Sequence, residues 1–402
     1  MKFKQCIILT FVILYSSIIS AQDVNTILTR AAALKDRSMF SQAIDLYTEA
    51  INVDEDYRLY TERGEAFLMN GRLEDAINDF NMANNLEPGS GYLGLARSYA
   101  INNEIEKAIA NLQQHLQSDF KLPRKKILLD PYFSSIEETV EWRQLWKNNW
   151  YNQLDEAKAE IEYLVNTEKI SEARDALSEI ENLYKEQTGI IYLKGLIEAG
   201  AGNTGMALEY LARAVSEDRA EYSVWKLFID QLNNNSDYLS AANACEEAIL
   251  IYPEKTELIL LKSENLRMAG DRKSALEAAE IYRELYPGNE AASRQAGIIA
   301  RDNGEYNRAI RLFSENIENY PGNAQCFTDR AGVYLKMKSW NAAIYDYSMA
   351  LDLWPRDGEA YYNKGVALLN SGKTTEACHD FRMALRYGNR KASGMLSKYC
   401  IK

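Results

Sequence analysis

Cys378, His379 and Asp380 place, in consecutive positions, the residue types of a nucleophile, a general base and an orienting acid. Nucleophilic catalysis needs those three side chains to point at one another. On a helix, neighbouring residues diverge by roughly 100°, so such a trio cannot converge. The other histidine, His115, stands at a packing position and reads as a structural or surface residue. The cysteines (Cys6, Cys245, Cys326, Cys378 and Cys400) show neither CxxC spacing nor a metal-type cluster. HExxH, GxSxG, a phosphate-binding glycine loop and the EF-hand spacing are missing from the sequence. The expectation is a protein that is not an enzyme and needs no cofactor or metal.

The start of the chain carries an address. Met1-Lys2-Phe3-Lys4 precedes an apolar run from Cys6 to about Ile19, followed by Ser20-Ala21-Gln22. A basic opening, a short apolar stretch and a small residue before a polar one describe a secretory signal, with cleavage expected after Ala21. The run of about 15 residues falls short of the roughly 20 that span a bilayer, which disfavours a retained anchor. Cys6 precedes the apolar run instead of ending it, so a lipid anchor there is not expected. A periplasmic or secreted protein without an integral membrane span follows. Four cysteines would then meet oxidising conditions, and the sequence leaves open which of them pair. Losing Lys2 and Lys4 leaves 44 basic residues against 58 acidic ones, a net charge of −14. That balance argues against nucleic acid as a partner, since binding it relies on neutralising phosphates.

Behind this address the chain is periodic. Alanine recurs at 173, 207, 241, 275, 309, 343 and 377, and Pro253, Pro287, Pro321 and Pro355 keep the same 34-residue step. A period of that length marks an array of helix–turn–helix units. Ala43, Ala76 and Ala108 extend the series towards the N-terminus. Twelve residues before these alanines a small residue is common, as at Ala31, Gly64, Gly195, Gly297, Ala331 and Gly365. Four residues after them stand Tyr47, Phe80, Phe313, Tyr347 and Phe381. Two antiparallel helices approach closely where one presents Gly or Ala and a neighbouring ring fills the space beside the contact. Five residues before the alanine, Gly71, Gly202, Gly270, Gly304 and Gly372 suit a helix end that enters left-handed geometry. The prolines close the second helix.

This pattern resembles the tetratricopeptide repeat family, most fully in 57–90 with Tyr60, Gly64, Phe67, Ala76, Phe80, Ala83 and Pro88. The resemblance implies an all-α fold, an α-α superhelix or solenoid of about ten units. Units 154–187 and 256–289 depart most: Ile161 replaces the small residue in the first, and Ala279 and Tyr282 exchange large and small in the second. The phase breaks once, between Ala108 and Ala173. The organisation expected is a signal at 1–21, three repeats in 22–120, a capping connector at 121–150, and seven repeats with a C-terminal helix in 151–402. The connector carries Pro131-Tyr132-Phe133, Ile136, Trp142, Leu145, Trp146 and Trp150. Its Asp-Pro-x-Phe stretch also resembles segments that close arrays in other bacterial members. The alternative for these rings is an exposed binding platform.

In the family the first helix of each unit lines the concave groove. Matching positions include Tyr192, Leu196, Lys226 and Asp230, then Glu264, Arg267, Arg294 and Arg301, and finally Tyr362 and Val366. Three arginines suit an acidic segment, unless each pairs with a local acid such as Glu264 or Asp302. Some family members hold a C-terminal carboxylate through Lys and Asn one turn apart; no unit here pairs them so, and that activity is not expected. The resemblance implies a protein–protein interaction scaffold of the bacterial cell envelope that takes an extended peptide or partner domain. The competing reading, a binder of envelope carbohydrate or peptidoglycan through tyrosine faces, loses ground because most tyrosines occupy packing positions. The signal reading predicts a mature chain that starts at Gln22 and is recovered from periplasm or medium. N-terminal sequencing checks this, and an intact Met1 chain in membranes would contradict it.

Overall fold

The computed structural model describes residues 24–185, 187–217 and 220–400, so the expected signal segment and its expected cleavage point lie outside the described residues. Every regular element among the described residues is a helix. Two compact units divide between Leu258 and Ile259. In the first, α1 (24–36) pairs with α2 (Phe40–Ile51), α3 (Tyr57–Met69) with α4 (Leu73–Leu86), and α5 (Tyr92–Ile101) with α6 (Ile105–Leu116). A connector follows, with α7 (Arg124–Leu128), a 3-10 turn at Pro131–Phe133 and α8 (Val140–Leu145). Pairing resumes with α9 (Gln153–Asn166) and α10 (Ile170–Glu181), α11 (Thr188–Gly200) and α12 (Thr204–Val215), then α13 (Tyr222–Asn234) and α14 (Tyr238–Ile251). The second unit takes most of α15 (Glu257–Ala269) with α16 (Arg272–Leu285), then α17 (Glu290–Asp302) with α18 (Tyr306–Asn319). It continues with α19 (Ala324–Lys336) and α20 (Trp340–Leu353), α21 (Gly358–Asn370) and α22 (Thr374–Arg386), and closes on α23 (Ala392–Tyr399). The fold is an all-α solenoid of helix–turn–helix units, with neighbours in sequence packed on one another.

Each unit is locally specified. Several first helices open on side-chain caps: Asp56 accepts from the Arg58 N–H, and Asn152 forms a reciprocal capping box with Asp155. The turn to the second helix passes through one left-handed residue. Glycine supplies it at Gly71, Gly202, Gly270, Gly304 and Gly372, with φ between 74° and 91°. Ser38, Asn103, Glu168, Ser236 and Lys338 adopt it at the same repeat position, with φ between 58° and 62°. After that residue the backbone N–H reaches back, as from Ser339 to the Tyr334 carbonyl at 2.9 Å, and satisfies a helix-end acceptor.

Within a unit, packing is tight where a first-helix glycine meets a second-helix ring. A Cβ on Gly64 would lie 2.7 Å from Phe80, on Gly297 2.6 Å from Phe313, and on Gly365 2.7 Å from Phe381. All three rings are fully buried. An ion pair bridges the same two helices in three units: Arg63 with Asp79 (2.7 Å), Arg330 with Asp346 (2.8 Å) and Lys364 with Asp380 (3.2 Å). The departing units solve the contact differently. Ile161 is fully buried with Ala173 and Leu177. In 256–289 the small Ala279 leaves no ring to clear, and the Ser263 hydroxyl donates to the Ala275 carbonyl at 2.7 Å.

The connector does not separate two bodies; it lies inside the first unit. Ile127, Phe133, Ile136, Trp142 and Leu145 form one core with Ala96, Ala108 and Leu112 of the third pair, and Trp146 and Trp150 pack partly buried against it. Those rings are therefore used in packing, not displayed as a platform. Lys121 pairs with Asp155 at 2.6 Å, and the Tyr151 hydroxyl donates to the Leu122 carbonyl at 2.9 Å, which leads the chain into α9. His115 is buried here, and its Nε2 accepts the Leu122 N–H at 3.1 Å.

Two sets of variants check this account. Gly297→Ala forces a methyl onto Phe313 and is expected to cost about 1–3 kcal/mol. Lys338→Gly relieves a left-handed side chain and is expected to gain about 1 kcal/mol. Urea midpoints should move in opposite directions. Burial, with a smaller contribution from Arg97, lowers the His115 imidazole to about 4. The unfolded imidazole titrates near 6.5, so its stabilising contribution is full above that pH and is lost as pH falls through the folded value. Midpoints measured from pH 7 to pH 4 should lose roughly 3 kcal/mol from this group, and His115→Gln should flatten that slope.

Candidate partner-binding site

The first unit curls back on its own beginning. Arg58, in the first turn of α3, donates to the Ile251 carbonyl at the end of α14 (3.3 Å) while its guanidinium is held by Asp56 at 2.5 Å. Between these walls lies a cavity of about 720 Å³. Tyr57 and Thr61 form one side, Tyr222, Tyr252 and Glu254 the other, and Phe120 closes the edge. The rings are fixed in pairs, Tyr57 edge-on to Phe120 and Tyr222 to Tyr252, each at 5.7 Å between centroids. Tyr222 donates to Glu257 at 2.7 Å and Tyr252 to the Ala220 carbonyl at 2.6 Å, so their hydroxyls are engaged while their rings stay at the wall.

Acids outnumber bases along this lining, and most have a local cation. Glu62 pairs with Lys35 and accepts the Tyr47 hydroxyl at 3.3 Å; Glu221 pairs with Lys158 at 2.6 Å. Among the half-buried acids of the lining, Glu254 is served least, with Lys255 at 3.8 Å; Asp119 is exposed. Burial raises the Glu254 carboxyl above the usual range; a hydrogen bond from its own backbone N–H opposes this, Glu62 adds to the rise, and Lys255 and Lys35 lower it.

The positions expected from the groove alignment are dispersed among local partners. Tyr192 is buried, donates to Glu162 at 3.3 Å and lies under the Lys158 ammonium; Leu196 packs beside it. Lys226 and Asp230 are exposed one turn apart on α13. In the second unit the arginines are already engaged. Arg267 pairs with Glu264 at 2.5 Å and approaches Asp302 at 3.9 Å, Arg301 pairs with Asp302 at 3.1 Å, and Arg294 pairs with Asp329 at 2.6 Å. Burial pushes the Glu264 carboxyl up, but hydrogen bonds from Arg267 and Gln295 outweigh it and hold the carboxyl low. Tyr362 and Val366 are half-buried against Phe381 and the last pair.

Sequence reasoning missed the cavity. One signal was available: an aromatic precedes each repeat proline, at Tyr252, Tyr286, Tyr320 and Trp354. The Tyr252 hydroxyl reaches the Ala220 carbonyl and that of Tyr320 the Gly288 carbonyl, so at these two positions the residue pins the exit loop to the unit before.

The chemical trio resolves differently from its appearance. Cys378 forms a disulfide with Cys400 just beyond α23, and His379 points to solvent beside the buried Asp380, which pairs with Lys364. Cys245 and Cys326 are buried, and burial pushes the Cys326 thiol up to about 11, far from a reactive thiolate.

With this geometry in place, the tetratricopeptide repeat family matches residues 28–90, 260–324 and 328–392. No curated protein matches the sequence. Among solved structures, a tetratricopeptide repeat protein from Parabacteroides merdae ATCC 43184 is 17% identical, covering 61% of this chain and 98% of its own, at a TM-score of 0.49. A chain of the APC/C hetero-tetramer Cut9-Hcn1 is 13% identical over 93% of this chain and 96% of its own, with a TM-score of 0.42. YrrB, described as a TPR protein with an unusual peptide-binding site, is 13% identical over 48% of this chain and 100% of its own, with a TM-score of 0.37. At such identities function has to be read from this chain's own surfaces.

Proposed function

The chain belongs to the tetratricopeptide repeat family, and we propose that it is a non-enzymatic interaction scaffold of the bacterial cell envelope. It holds an extended segment or a partner domain. The observation that carries this reading is the cavity of the first unit, where rings and carboxylates line a space large enough for a peptide segment. Elsewhere many aromatics serve packing: Tyr47, Tyr60, Tyr192 and Tyr347 are buried, while Tyr163, Tyr345 and Trp354 are exposed singly, which speaks for a protein partner over a stacked glycan. Export is supported by the signal-like opening and by the Cys378–Cys400 disulfide, a bond that persists in oxidising compartments. An acidic segment meeting Arg267, Arg294 and Arg301 would have to exchange with Glu264, Asp302 and Asp329.

The test starts from the mature chain as bait in an envelope fraction, with partners identified by mass spectrometry and then purified. Binary binding is measured for the parent, for Tyr57→Ala with Tyr252→Ala, and for the triple arginine-to-alanine variant. Loss of an aromatic anchor from an interface centre typically costs 2 kcal/mol or more, so the tyrosine variant should bind at least about tenfold more weakly with unchanged helix content. A partner that binds all three equally, or retention on cell-wall glycan with no protein partner, would overturn the reading.

A further inference from the structure

We infer that the cavity of the first unit is a receptor for a cationic side chain, lysine or arginine, carried by an extended segment of a partner protein. This deepens the scaffold reading, on which it rests, by naming the chemistry of what the scaffold takes.

The charges of the walls give the sign. Asp56, Glu62, Asp119, Glu221 and Glu254 line the space against one base, Arg58. Arg58 is committed to Asp56 and to the Ile251 carbonyl, so it holds the rim closed and is not available to an incoming anion. Lys35 and Lys158 are committed to Glu62 and Glu221. Glu254 differs from these pairs. Its nearest cation, Lys255, stands at 3.8 Å, beyond hydrogen-bonding reach, and lies instead over the Tyr222 ring at 5.6 Å from the centroid. The carboxyl is therefore partly desolvated without a close counter-charge, and Glu62 adds repulsion. The carboxyl takes a hydrogen bond from its own backbone N–H, and an arriving ammonium or guanidinium supplies the close counter-charge it lacks.

The rings select in the same direction. Tyr57, Phe120 and Tyr252 surround the space together with Tyr222, whose ring Lys255 already approaches, and aromatic faces attract a cation while tolerating its apolar stem. A leucine would leave the half-buried Glu254 without a close counter-charge, and a glutamate would meet like charge on several sides. The volume of about 720 Å³ exceeds one side chain and leaves room for the backbone that carries it. A chain of net charge −12 also favours the approach of a basic segment over long range.

The test uses the mature full chain and fluorescein-labelled hexapeptide pools, each with one position fixed as Arg, Lys, Leu or Glu and the others mixed. Binding is read by fluorescence polarisation at low and at high salt. The Arg and Lys pools should bind at least tenfold tighter than the Leu and Glu pools, with the gap narrowing in high salt. Glu254→Gln, nearly isosteric, should erase the cation preference, and Tyr222→Leu should weaken the cationic pools; circular dichroism confirms folding of both. Glu277→Gln, on α16 of the second unit, should change nothing. Equal binding of all pools, a preference that survives Glu254→Gln, or a preference for Glu overturns the cation receptor and leaves the scaffold reading standing. Failure of every pool to bind also overturns it, and the scaffold is then judged by the envelope partners alone.

Discussion

The contact on which the array depends is a first-helix residue with almost no side chain pressed against a second-helix ring. Gly64 against Phe80, Gly297 against Phe313 and Gly365 against Phe381 set how near two helices come. With that distance fixed, the other recurring features have one place to go. The left-handed turn falls where the first helix has run its length past the glycine, and the bridging pair, Arg63 with Asp79 or Arg330 with Asp346, spans the same interface on its flank. A buried pair of this kind adds little net stability over apolar packing, but either charge left alone there is costly. It therefore fixes how the two helices align more than how strongly they hold.

The period and the phase of small and large residues were legible because packing repeats where its geometry repeats. The turns were half legible. Gly304 and Gly372 advertise a left-handed residue, whereas Glu168, Ser236 and Lys338 adopt the same φ with no glycine to mark it. There the helix pair on both sides imposes the conformation on a side chain that resists it. Ser263 shows a similar limit: its type says only that it is small, and the structure adds that its hydroxyl binds the facing backbone. The bridging pairs had a readable spacing, a base thirteen residues before the repeat alanine and an acid three after it, that packing logic alone does not single out.

The candidate site was less legible for a different reason. Groove positions can be assigned from one unit at a time, but their partners cannot. Arg294 meets Asp329 from the next unit, and Arg267 and Arg301 share Asp302, so local acids answer much of the charge that the sequence displayed. The cavity depends on the contact between Arg58 and Ile251, which only the accumulated rotation of five helix pairs and the connector brings together. A one-dimensional pattern carries the increment of that rotation in its packing residues but not the point at which it closes.

The Cys378–Cys400 bond has a consequence beyond its place of formation. Repeat arrays hold each unit mainly through its neighbours, so they peel from whichever end lacks a second neighbour. Here the terminal helix α23 is tied covalently to α22, and fraying of that end is held back while the bond is intact. Reduction would leave α23 held only by the packing of Ala392, Met395 and Leu396 in the last core. The redox state of the compartment thus decides whether the C-terminal edge of the array behaves as an anchored margin or as a zipper's open tooth.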